Sequence, residues 1–193
     1  MTATDRPADP RYESMRLRAL AHPLRWKLID VVAREGSATA TRCAEVLGES
    51  VASCWYHLGI LSKYGYLEAV PGTSGREKPW RAAAALSKDL SGRTDDAETQ
   101  AAGLAAASAF IDHEAARAKE RIRRLEDEPE QWRATNALGS VSVFVTVEEL
   151  AEVKAELLEI LRRYADRTAD VASRPTGSRA ARIFVSSGIE PRD

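Results

Sequence analysis

Few residues in this chain have the chemistry of a catalyst. Cys54 and His57 lie three apart, a spacing that on a helix brings them to one face, and an imidazole beside a thiol is the pairing that activates a thiolate. The one other thiol is Cys43. A free cysteine also behaves as a small hydrophobe, so core packing is the favoured role for Cys54 and a thiol redox sensor is its rival. His113 sits between Asp112 and Glu114, all metal-ligating types, but consecutive helical residues point in different directions and do not close on one ion. The sequence contains no Gly-rich phosphate loop, nucleophile elbow or zinc-protease helix. These residues predict a protein that is not an enzyme and holds no metal or cofactor.

A second set of side chains suits a polyanion. If Cys54, Leu58 and Leu61 (i, i+4, i+7) face inward on one helix over 50–63, then Val51, Ala52, Trp55, Tyr56 and Gly59 face outward. Tyr56 offers a hydrogen bond to a base edge, and Val51, Ala52 and Trp55 offer apolar contact to thymine methyls. Ser50 and Ser53, near the helix N-terminus, suit phosphate oxygens, and Lys63 suits the flanking backbone. His57 borders the inward face, where a phosphate contact and an internal hydrogen bond are equally open to it. A Gly-rich turn at 72–76 presents Arg76 and Lys78 for the minor groove or backbone, with a merely solvated turn as the alternative. Trp80 is better suited to anchoring that hairpin than to touching DNA.

These side chains need positioning elements. Apolar residues at Met15, Leu17 and Leu20 mark a helix over Arg11–Ala21, and Pro23 breaks it before a second, carrying Leu24, Leu28, Ile29, Val31 and Val32 and stopped by Gly36. A third helix runs from about Thr41 to Leu47, closed by Gly48, and Ser50 caps a fourth: helix, four-residue turn, helix. Tyr66–Val70 and Lys78–Ala83 read as two strands of a hairpin over 66–83, turning at Pro71–Gly75.

From residue 97 small and apolar residues recur in a 4-3 rhythm: Ala97, Ala101, Leu104, Ser108, Ile111, Ala115, Ala118, Ile122 and Leu125. A seam of four heptads on one long helix needs a partner helix, and a second copy of the chain is the expected one, with packing on the chain's own C-terminal region as the alternative. Beyond Pro129, Val141, Val143, Val145 and Val147 alternate as a strand, and Thr146 with Glu149 offers a capping box for a helix to about Tyr164. Leu150, Val153, Leu157, Ile160, Leu161 and Tyr164 form its expected buried stripe, and Arg182–Ser186 a second strand. Such a small β-α-β module must pack on the long helix or pair with its copy.

Composition is compatible with this plan. The 193 residues are 44% hydrophobic and 30% charged, with a net charge of −1, as in ordinary soluble chains. The balance conceals an asymmetry: residues 1–93 carry 14 basic and 10 acidic side chains, residues 94–193 carry 14 and 19. The cationic half gains from releasing counterions around a nucleic acid, and the acidic half is repelled by the same surface. Two cysteines are too few for a disulfide framework, and neither a signal peptide nor a membrane span is legible, so the cytoplasm is the expected compartment.

The stretches Leu17–Leu28 (LRALAHPLRWKL) and Arg42–Leu61 (RCAEVLGESVASCWYHLGIL), with Gly65, Tyr66 and Leu67, resemble the ArsR family of bacterial winged-helix transcriptional regulators, over roughly residues 12–86. Ala44, Leu47, Gly48, His57 and Leu58 match the family pattern, whereas Arg42 replaces its aspartate and Cys43 its leucine. Cys54 stands where relatives carry a buried aliphatic, and Thr39 and Thr41 stand where metal-sensing relatives carry cysteines, so the resemblance implies no such metal site. It implies a homodimeric repressor that binds an inverted-repeat operator. The expected architecture is mainly α with small β elements: a tail (1–10), a winged helix-turn-helix (11–93), a long dimerisation helix (94–128) and a small C-terminal β-α-β module (129–193). The rival from another class is a winged-helix protein-interaction module without specific DNA binding. An effector ligand is compatible with either, and no residue names one.

Overall fold

The computed structural model describes residues 10–72, 77–83, 95–164, 167 and 170–189. The protein is mainly helical with one small antiparallel sheet, and the chain divides into two units, 1–116 and 117–193.

In the first unit, α1 (Pro10–Arg18) ends short of Pro23, which occupies the first turn of α2 (Pro23–Glu35), where its missing N–H costs nothing. His22 caps α2 by accepting the Leu24 N–H at Nδ1, 3.2 Å away. Thr39 caps α3 (Ala40–Leu47) through the Arg42 N–H, and Gly48 ends it at φ 68°, a left-handed conformation that favours glycine. Three residues later α4 (Val51–Lys63) begins, with the Ser50 hydroxyl accepting the Ser53 N–H at 3.1 Å. Strands β1 (Leu67–Ala69) and β2 (Trp80–Ala82) pair antiparallel with Glu68 opposite Arg81, and those two side chains form a salt bridge at 2.7 Å. Ala38 adds a bridge to Trp80 on the other edge of β2. Both strands are shorter than their sequence pattern suggests.

The core is one cluster drawn from the turn after α1, from α2, α3 and α4 and from both strands, including Leu20, Leu28, Val32, Cys43, Cys54, Leu58, Leu61, Leu67 and Trp80. The periodic inward row of α4 is the reason it docks on α2 and α3: every member is fully buried. The helix α5 (Ala97–Arg123) begins with the Thr99 N–H donating to Asp96, and buries Thr99, Ala102, Gly103 and Ala106. Trp26 of α2 packs on Phe110 of α5 at 4.8 Å, and Asp30 meets His113 Nε2 at 2.6 Å. The helix stops before Leu125, which falls in a 3-10 turn (Leu125–Asp127).

In the second unit, α6 (Glu130–Arg133) is a single turn and α7 (Val147–Arg162) an amphipathic helix. The capping box is present: Thr146 accepts the Glu149 N–H and Glu149 accepts the Thr146 N–H. Two expectations are corrected here. The segments 141–146 and 182–186 are neither helix nor strand and have no ladder partners among the described residues, so the β-α-β module lacks its strands. The α7 stripe is not buried: Leu150 and Leu157 are half-buried, and Val153, Ile160, Leu161 and Tyr164 are exposed. Alternation marks which side chains share a face, but a strand also needs an edge to pair with, and neither segment has one among the described residues.

Candidate nucleic-acid interface

The α4 helix presents opposite faces to opposite environments. Cys54, Leu58 and Leu61 are fully buried, and the outward row stands in solvent, with Tyr56 62% and Val51 44% exposed and Ala52 and Gly59 open beside them. Trp55 is at the margin. Its ring stands edge-on to the buried Trp80 ring at 4.9 Å, and Lys78 Nζ lies 5.7 Å from the Trp55 centroid and 5.1 Å from that of Trp80. The hairpin thus braces α4 through an aromatic pair capped by a cation. Trp80 is the anchor its sequence context suggests, though its indole N–H has no hydrogen-bond partner among the described residues.

At the N-terminus of α4 the Ser50 hydroxyl is engaged as the helix cap, so its offer to a phosphate is that of an occupied acceptor with a hydroxyl proton still to donate. Ser53 is half-buried. At the other end Lys63 is exposed, with Nζ 5.3 Å from the Tyr64 ring. Arg76 and the hairpin tip 73–76 lie outside the described residues.

His57 does not belong to the outward row. It is 8% exposed, and its Nδ1 accepts a hydrogen bond from Arg25 Nε at 3.2 Å, while the same guanidinium donates from a terminal nitrogen to the Ala19 carbonyl at 2.7 Å. The His22 ring lies 4.4 Å away and the Tyr56 ring 5.1 Å. Burial, then the His22 and Arg25 charges, hold the His57 pKa below its ordinary value, with Glu49 opposing weakly; the same burial lowers that of Arg25. A neutral imidazole is the form that accepts from Arg25, so His57 links α4 to α2 and to the end of α1. Arg25 is a residue that sequence reasoning missed. Its position inside the LRALAHPLRWKL stretch is a signal, but its partner is 32 residues away.

Both thiols are buried. Burial first, then the neighbouring Cys54 and Glu35 charges, push the Cys43 thiol up to about 12, and burial also raises Cys54. Neither has the thiolate character of a reactive cysteine at neutral pH.

Along α5, the seam residues stand on the side away from the core. Leu104 is 66% exposed, and Ile111 and Ile122 about half; Ala97, Ala101, Ser108 and Ala115 are open, and Ala118 is half-buried, as is Leu125 beyond the helix end. The opposite side carries Ala102, Ala106 and His113. Among the described residues no group of three or more His, Cys, Asp or Glu gathers to hold a metal ion, and no helix is long and apolar enough to cross a membrane. The chain matches no protein-family model, and no curated protein matches it.

Proposed function

We propose that the chain is a homodimeric, sequence-specific DNA-binding regulator of transcription, with a winged helix-turn-helix of the ArsR-like kind its motifs resemble. In this reading α3 and α4 are the helix-turn-helix, α4 enters the major groove, and the β1–β2 hairpin is the wing. The observation that carries it is the two-faced α4: a fully buried inward row holds the helix rigidly while Val51, Ala52, Tyr56 and the edge of Trp55 project from the surface. A recognition helix needs both properties, since base readout depends on side chains held in fixed register.

The exposed α5 seam supports a two-fold pair, and two recognition helices related by such an axis read an inverted repeat with half-sites about 34 Å apart. Repression then follows from occluding a promoter. The protein acts without catalysis, in the cytoplasm. The acidic balance of residues 94–193 favours one rival, a module that binds a basic partner protein instead of DNA.

Selection of bound fragments from a random DNA pool, followed by a salt titration of the winner, separates the two. An enriched palindrome whose affinity falls steeply with salt is the expected result. No enrichment, with weak binding lost in moderate salt, overturns the reading in favour of the protein-interaction module.

A further inference from the structure

Tyr56 stands on the outward row of α4, and an exposed tyrosine ordinarily hops between side-chain rotamers. Reading a base edge needs one orientation, because each rotamer frozen on binding subtracts from affinity. The structure restrains one side of the ring. His57 is the next residue along the helix, and its ring meets the Tyr56 ring edge-on, with centroids 5.1 Å apart and planes at 76°. Consecutive helical side chains diverge by about 100°, so this contact lasts only while the His57 ring keeps its own orientation.

The groups that set that orientation belong to the start of α2. Arg25 donates from Nε to His57 Nδ1 at 3.2 Å and from a terminal nitrogen to the Ala19 carbonyl at 2.7 Å. The guanidinium is a rigid planar fork, so the Ala19 bond aims Nε. The His22 ring packs against that of His57 at 4.4 Å, and it is fixed in turn because its Nδ1 accepts the Leu24 N–H as the α2 cap. Satisfying the carbonyl just after α1 requires only the terminal nitrogen. The Nε bond is additional to that capping role, and it falls on the ring against which Tyr56 rests.

We propose that Arg25 is a specificity-determining residue of the α4 surface: by holding His57 it fixes the side-chain orientation from which Tyr56 reads a base edge. Arg25 is a positioning residue, acting through His57 and Tyr56, and it contributes to discrimination between sequences more than to overall affinity. The base edge rests on the regulator reading, whereas the fixed orientation of Tyr56 is a property of the free protein. Lysine at this position keeps the charge and loses the fork, since one ammonium group cannot serve both acceptors in fixed relation.

Arg25→Lys in the full-length chain tests this in two stages. Without DNA, the three-bond NMR couplings of the Tyr56 side chain should report one dominant rotamer in the wild type and averaging in the variant, with the amide protection of α4 retained. Averaging in the wild type overturns the proposal, and so does a single rotamer in the variant. With the fragment selected from the random pool, the ratio of its affinity to that of random DNA should fall about tenfold, at an unchanged salt slope. In a Tyr56→Ala background the same substitution should lower that ratio no further, because the group it positions is gone. A full further loss there shows Arg25 acting other than through Tyr56, and a salt slope lower by about one shows a phosphate contact of its own; either result overturns the proposal. If Arg25→Lys unfolds the chain, Arg25→Gln replaces it in the rotamer and ratio measurements. Failure to select any fragment is a failure of the regulator reading alone, and the rotamers then decide whether Arg25 fixes Tyr56.

Discussion

The Trp55 ring stands edge-on against the Trp80 ring at 4.9 Å, so the margin of the outward face of α4 and the strand β2 share one aromatic contact. Trp80 is 1% exposed and belongs to the core, whereas Trp55 keeps one side in solvent. One contact therefore serves both the stability of the hairpin and the register of the proposed recognition surface. The two rings should differ on substitution. Trp80→Ala removes a fully buried indole and should cost about 3–5 kcal/mol, whereas Trp55→Ala loses mainly the pair, about 0.5–1.5 kcal/mol. Denaturant titration of both variants measures this; equal losses would show Trp55 to be as much a core residue as Trp80.

Tyr56 has the most exposed aromatic side chain of α4, and its removal should act on specificity alone. Tyr56→Ala should weaken binding to the selected operator by about 1–3 kcal/mol and leave random-sequence binding near wild type, whereas Lys63→Ala should weaken both and lower the salt slope by about one. Fluorescence anisotropy across a salt series distinguishes them. Wild-type behaviour in both variants removes α4 from the interface.

His57 makes stability fall on acidification. Its folded pKa lies below its ordinary value near 6.5, so at pH above that value the imidazole is neutral in folded and unfolded chains alike and the full stability is present. As pH falls below about 6.5 the unfolded chain takes up a proton that the folded chain resists, and stability is lost until the pH passes the folded pKa. His57→Asn keeps an acceptor for Arg25 without the titration, and should flatten the thermal midpoint between pH 6.5 and 5 relative to wild type. Parallel curves for the two proteins would assign the acid sensitivity elsewhere.

The α5 seam predicts a specific weakening of the pair. Glutamates at Leu104 and Ile111, both at least half exposed, should leave the fold intact while moving the monomer–dimer midpoint to at least ~100-fold higher concentration, about 2.8 kcal/mol. Light scattering over a dilution series reads this. An unchanged midpoint would move the interface off α5.

Buried thiols predict chemical silence. In the native protein Cys43 and Cys54 should react with a disulfide reagent only as fast as the chain unfolds, and peroxide should not alter DNA affinity. Rapid labelling of either thiol, with release from DNA, would establish the redox reading instead.

The signals legible in the sequence are local ones. Pro23 at the start of α2, Gly48 behind α3, Ser50 before α4 and the Thr146–Glu149 box each act within a few residues of themselves, and the helices begin and end where these residues require. The i, i+4, i+7 row of Cys54, Leu58 and Leu61 likewise determined which face of α4 turns inward. Tertiary structure decided the rest, because it depends on partners remote in the chain. His57 borders two faces of its helix, and only the arrival of Arg25 from α2 makes it an internal acceptor. Trp55 lies on the outward row by periodicity, yet Trp80 draws its ring to the hairpin. The valines of 141–147 show the limit most plainly: alternation records that these side chains share a face, and whether that face becomes a sheet depends on an edge that residues 141–147 do not themselves contain.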